Sequence, residues 1–165
     1  MHGNNNYYMV FILRVILLIY MAQSSFAAIF PKGCEKTGFG YNGPLLTFNH
    51  ANEQAYFLIH NRSYQPIKLK HVETTDVFMS PSLTAYLKPN YWAAFASDMP
   101  EQLFQCVVIE EKIPKQVNCR DVLDVCQYPR VKFALSNMGN YWVAVNKAQR
   151  QVIQESTKKG IFLKW

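Results

Sequence analysis

The chain has 165 residues, half of them apolar, with 17 basic against 11 acidic side chains and a net charge of +6. That length suits one domain with enough apolar chain to bury a core. The basic residues are scattered and form no run interleaved with aromatics, which argues against a nucleic-acid surface and leaves an ordinary solvated one.

Residues 1–27 read as an export signal: Arg14 is the only lysine or arginine, Val15 to Ala22 is a short apolar run, and Ser25-Phe26-Ala27 supplies small residues before a cleavage site. Arg14 interrupts the ~20 apolar residues that a membrane helix needs, so no span is expected once the signal is removed. Residues 28–165 then form a single β-rich domain. From Ile29 to Pro44 the glycines Gly33, Gly38, Gly40 and Gly43 predict an irregular arm, without a phosphate-binding pattern. Leu45 to Phe48 reads as a short first strand.

The stretch from Tyr56 to Phe95 organises the chain. Ala55 to His60 is a continuous apolar run of strand length, as suits a central strand covered on both faces. Ile67 to Val72 alternates, with Ile67 and Leu69 on one face and Lys68 and Lys70 on the other, and is expected to pair back on the first run as a hairpin. Leu83 to Leu87 leads into Lys88-Pro89-Asn90, a turn with proline pre-set for its second position, and Tyr91 to Ala96 resumes strand character. Leu103 to Glu110 reads as a further central strand, turned at Glu110-Glu111-Lys112 and paired back by Gln116 to Cys119. Val122 to Tyr128 fits a strand or one helical turn. Val131 to Leu135 and Tyr141 to Val145 are strands. Residues 147–159 form one amphipathic helix, with Asn146 as N-cap, Gln149 three residues on and Gly160 after the last turn. The apolar tail Ile161 to Trp165 must pack or add an edge strand.

Four cysteines in an exported domain predict two disulfides, with three possible connectivities. A hairpin that sets Cys106 opposite Cys119 favours that pair, leaving Cys34 with Cys126 to tie down the N-terminal arm. A zinc site lacks the close Cys-x-x-Cys spacing. The fold class expected is therefore mainly β: an antiparallel β-sandwich-like domain with one C-terminal helix, stapled by disulfides.

No catalytic motif stands out: the serines have no nucleophile elbow, and Glu110 and Glu111, adjacent on a strand, point to opposite faces. His50, His60 and His71 are the candidate bases or metal ligands. His60 and His71 end neighbouring segments and would approach each other if those strands pair, as a copper or zinc site requires; ordinary strand-end hydrogen bonding is the plainer account. No cofactor and no metal is expected. Trp92, Trp142 and Trp165 serve a core or a contact platform, and Trp165, being terminal, is a candidate docking anchor. Asn61-Arg62-Ser63 matches a glycosylation acceptor, a pattern common by chance.

His60-Asn61-Arg62-Ser63 leading into Ile67 to His71, then Leu87 to Ala94, and the late helix followed by Gly160-Ile161, together with the exported start, resemble the EnhB family of enhanced-entry proteins. Those are small exported proteins of intracellular bacterial pathogens. Asn61, His71 and Trp92 match the family pattern, whereas Tyr91 and Ala93 stand where more polar neighbours are expected. The resemblance implies a periplasmic or secreted protein linked to host-cell entry, with no catalytic residue to carry over. The function expected is a non-enzymatic exported protein that binds an envelope or host protein, with His60, His71 and Trp165 as contact residues. The alternative is a small envelope hydrolase or metal-binding protein acting on cell-wall material.

Overall fold

A computed structural model describes residues 30–49, 54–72, 84–110, 113–133 and 141–164. The expected signal, His50, residues 134–140 and Trp165 lie outside the described residues. Twelve strands and two helices are described: β1 (Phe39–Asn42), β2 (Leu45–Asn49), β3 (Ala55–Asn61), β4 (Ile67–His71), β5 (Thr84–Leu87), β6 (Trp92–Ser97), β7 (Glu101–Glu110), β8 (Ile113–Gln116), α1 (Cys119–Val122), β9 (Leu123–Tyr128), β10 (Val131–Lys132), β11 (Tyr141–Asn146), α2 (Gln149–Lys158) and β12 (Phe162–Leu163).

They build an antiparallel sandwich. The larger sheet runs β1-β2-β7-β4-β5, with β8 also on β7, and the smaller runs β11-β6-β3-β9. Between them lies a core of Leu46, Phe48, Phe57, Ile59, Ile67, Leu69, Phe95, Phe104 and Val108. Its centre is Phe48, stacked on Phe57 with ring centroids 4.1 Å apart and on Phe95 at 5.3 Å. The other face of the smaller sheet carries a second core, in which Tyr56, Leu58, Ala94 and Tyr128 meet Val152 of α2 and Ile161. β3 is thus buried on both faces, as its uninterrupted apolar run predicts.

Three strand assignments change; one is the strand returning along β7, which is Ile113–Gln116 and not Gln116 to Cys119, since Cys119 opens α1. β4 does not pair with β3; it lies between β5 and β7 in the opposite sheet. Its alternation holds, with Ile67 and Leu69 buried, but an alternating strand fits any sheet with one covered face. The chain crosses the sandwich at residues 62–66 and again at the turn between β5 and β6. That turn is closed by the Tyr91 N–H donating to the Lys88 carbonyl at 3.0 Å, with Asn90 at φ +61 after Pro89, the conformation of a type II turn. The third change is β1, which falls within the expected irregular arm. Gly43, at φ +56, closes a two-residue hairpin onto β2, and a side chain at Gly38 would collide with Gln127. The glycines that suggested an arm are hairpin and packing residues.

Val122 to Tyr128, legible either way, is both: the α1 turn ends at Val122 and β9 begins at Leu123. Helix α2 starts two residues later than predicted. Asn146 ends β11 and accepts from the Ala148 N–H, so it bridges strand and helix without capping α2. The C-terminus is as expected: Gly160 takes φ +81, and the Ile161 N–H donates to the Ser156 carbonyl. Phe162 and Leu163 pair with β10.

Both disulfides, Cys34–Cys126 and Cys106–Cys119, form with Cα atoms 5.5 Å apart. The first ties the N-terminal segment to β9, where Glu35 and Gln127 exchange two backbone hydrogen bonds of 2.8 Å. The second sits where β2 and β8 share one side of β7. There the Cys106 N–H donates to Pro44, Val117 donates to Cys106, and Cys119 donates to Gly43. Two structural disulfides place the folded chain in an oxidising compartment, and no described helix is long and apolar enough to cross a membrane.

Asn61 joins the crossings. It is fully buried, and its Nδ2 donates to the Gln65, Leu87 and Lys88 carbonyls at 2.8, 3.0 and 3.1 Å. Its Oδ1 accepts from the Ser63 N–H and hydroxyl. A buried, fully engaged amide is no glycan acceptor. Asn61→Ala is expected to lower unfolding free energy by about 3 kcal/mol, because it leaves buried carbonyls without donors, and Asn61→Asp by more, since a carboxylate would face them. Urea denaturation measures both; a change for Asn61→Ala of less than about 0.5 kcal/mol, the range of an ordinary surface substitution, would remove Asn61 from this role.

Candidate functional site

Of the predicted contact residues, His60 and His71 are not brought together. His60 ends β3 beside the crossing at 62–66, whereas His71 ends β4 in the other sheet, about 13 Å of strand beyond Ile67 where that crossing lands. His71 packs edge-on against Phe104, with centroids 5.3 Å apart. A site shared by His60 and His71 is therefore not built, and Trp165 lies outside the described residues.

His60 belongs to a different row. Strand register aligns Asn146, Trp92, His60 and Asp124 side by side across β11, β6, β3 and β9. The imidazole stacks on the Trp92 indole at 4.4 Å, and Phe30 packs edge-on against Trp92 with ring centroids 5.8 Å apart. His60 Nδ1 stands 3.7 Å from Asp124 Oδ2, too far for a hydrogen bond. Both atoms are buried without a hydrogen-bond partner. Arg62 Nη1 lies 3.6 Å from the other carboxylate oxygen, while its remaining nitrogens donate to the Arg120 and Asp121 carbonyls. Burial holds the His60 imidazole below its ordinary range; the Asp124 carboxylate pulls the other way without overcoming it. Tyr41, whose hydroxyl donates to the Leu123 carbonyl, is pushed up to about 12, chiefly by burial and next by Asp124.

The row presents a neutral imidazole beside a carboxylate, but its other members are an indole and an amide, neither a nucleophile. Among the described residues, no three of His, Cys, Asp and Glu stand close enough to hold a metal.

A second locus, missed in the sequence, lies at the same end of the molecule. The last partner of β7 on β4 is Val108, so Ile109 and Glu110, with Pro114 and Ile113 of β8 opposite them, extend past β4 and are exposed among the described residues. Ile109 and Ile113 are 48% and 67% exposed, and Tyr64, on the neighbouring crossing, is 98% exposed. Gln65, Ile109, Glu110, Ile113, Pro114 and Lys115 line an open cleft of about 620 Å³. Lys115 Nζ pairs with Glu110 at 3.2 Å, and Gln65 donates to the same carboxylate. These hydrogen bonds, Lys115 first, hold the Glu110 carboxyl below its ordinary range. The cleft's charges are mutually compensated, and its remaining contact surface is apolar. The charged run Glu110-Glu111-Lys112 masks it in the sequence; the available signal was Ile109 and Ile113 flanking that turn.

Compared with known protein families, curated proteins and solved structures, the chain finds no match.

A depressed His60 pKa means that the unfolded chain binds more protons than the folded one between the two pKa values. Stability due to this group is complete above the unfolded value, near 6.5, and is lost as pH falls toward the folded one. Denaturant midpoints measured from pH 7.5 down to 5 should decline in the native chain and decline less in His60→Gln. Equal slopes would show that His60 does not carry the effect.

Proposed function

We propose that this chain is a non-enzymatic exported protein that binds a protein partner of the envelope or of a host cell, through the β7–β8 hairpin tip and Tyr64. The observation that carries the reading is Ile113, 67% exposed on the hairpin face that it shares with the Glu110–Lys115 ion pair, while Ile109, opposite Pro114, is exposed on the other face. An apolar centre with a compensated polar rim has the composition of a protein-contact surface. The two disulfides support an exported site of action, periplasmic or extracellular, and the resemblance to EnhB proteins supports a link to host-cell entry.

Ile113→Lys leaves the sandwich untouched, so its stability should stay within about 0.5 kcal/mol of the native chain. Crosslinking capture from envelope and host-cell extracts should lose the specific partner at least about tenfold, as for loss of a central anchor. Undiminished capture by Ile113→Lys would remove the hairpin tip as the contact.

A second reading, a small envelope hydrolase or metal-binding protein, is favoured by the His60–Asp124 pair, whose facing atoms lack hydrogen-bond partners. In this form His71 takes no part. Titration calorimetry with zinc and with copper tests it: binding that is lost in His60→Gln would support the reading, and absence of heat with both ions would dispose of its metal form.

A further inference from the structure

The sheet edges of this molecule are managed unequally. Edge strand β8 carries Pro114 and Lys115, which blunt it. The edge of β9 is occupied by Glu35 on Gln127 and by the Tyr41 hydroxyl on the Leu123 carbonyl. β1 and β5 have four residues each. β11 has six, Tyr-Trp-Val-Ala-Val-Asn, with no proline, glycine or charge, every residue half-buried and β6 as its one strand neighbour among the described residues.

Its bonding pattern follows from register. The Asn61 N–H donates to the Tyr91 carbonyl, so the peptide groups of Asn61 face β6, and by alternation so do those of Ile59 and Phe57. Their partners Ala93 and Phe95 face back, which leaves Trp92, Ala94 and Ala96 facing β11, where they meet Asn146, Ala144 and Trp142. Val143 and Val145 therefore turn their N–H and C=O groups outward, where no backbone partner stands among the described residues.

We infer that β11 is a self-association edge, occupied by β11 of a second copy of this chain in antiparallel pairing about a two-fold axis at Ala144. In that register Val143 lies opposite Val145 of the second copy, and the outward N–H and C=O groups of both valines are satisfied reciprocally. Ala144 meets its own copy at the narrow, non-hydrogen-bonded position, where Cα atoms come within about 4.5 Å and a small side chain is required. Trp142 falls opposite Asn146. Lys147, just beyond the strand, falls opposite Tyr141 and not opposite another cation, so the net charge of +6 on each copy places no like charges in facing register positions. The two smaller sheets join into one, an isologous interface. The inference is independent of the hairpin tip, which belongs to the other sheet.

Sedimentation equilibrium on the chain from Ala28 to Trp165, with amide exchange followed residue by residue, tests it. The expected result is a monomer–dimer equilibrium in which protection of the Val143 and Val145 amides rises with protein concentration. Ala144→Lys should raise the dissociation constant on the order of a hundredfold through facing like charges, and an equal mixture of Ala144→Lys with Ala144→Glu should associate again. If Ala144→Lys does not fold by circular dichroism, the exchange data on the native chain decide alone. A monomer with concentration-independent exchange overturns the inference, as does a dimer that Ala144→Lys leaves intact. Protection that appears only on adding cell extract overturns it too, because the occupant is then a foreign strand. Capture through Ile113 is expected unchanged in each case.

Discussion

A single buried carboxamide holds together two of the places where this chain changes sheets, β3 to β4 and β5 to β6. Asn61 sits at the end of β3 with its Nδ2 shared among the carbonyls of Gln65, Leu87 and Lys88, while its own backbone bonds Tyr91 and Asn90. The crossings at 62–66 and 88–91 expose carbonyls that no strand can satisfy, because each segment is leaving one sheet for the other. Buried carbonyls without donors are costly. One residue with donors and an acceptor on a short, rigid stem answers both turns at once, and the row containing His60 and Trp92 and the hairpin tip lie at the same end.

The long strand β7 is the second organising element. β4 runs along one side of it, while β2 takes the N-terminal half of the other side and β8 the C-terminal half. The Cys106–Cys119 disulfide lies at that junction, where the backbones of Pro44, Val117 and Gly43 also converge. The arrangement explains why the hairpin tip is exposed: β8 continues along β7 after β4 has ended. An exposed apolar surface is thus produced by a mismatch in strand length, with the disulfide at the base of the projecting hairpin.

On the far face of the smaller sheet, α2 covers Tyr56, Leu58 and Ala94. Ser156 carries the polar link across this layer: its hydroxyl donates to the Val152 and Ile153 carbonyls, leaving it to accept from the Tyr56 hydroxyl at 2.6 Å. Burial raises the Tyr56 pKa, so the phenol stays protonated and remains a donor. The helix is held by apolar burial, with this hydrogen bond and that of Asn146 Nδ2 to Glu155 at 3.1 Å tying it to the sheet. Beyond it, β11 has no strand on its outer edge among the described residues, in the same sheet whose opposite edge the N-terminal segment has closed.

Much of this was legible locally. The apolar run of β3, the alternation of β4, the turn at Pro89-Asn90, the Gly160 helix stop and the pairing of cysteines are each set by residues within a few positions of one another, or by a hairpin that brings two of them opposite. The strand β1 was hidden because its glycines serve turn and packing needs that look, in sequence, like absence of structure. What the sequence determined by itself was therefore the kind of element at most positions, the β-rich class and the oxidising setting. Only the tertiary structure decided which strand pairs with which, because an alternating strand carries no label for its neighbour and joins whichever sheet buries its apolar face. That choice separated His60 from His71, joined His60 to Trp92 and Asp124, and left Ile109 and Ile113 in the open.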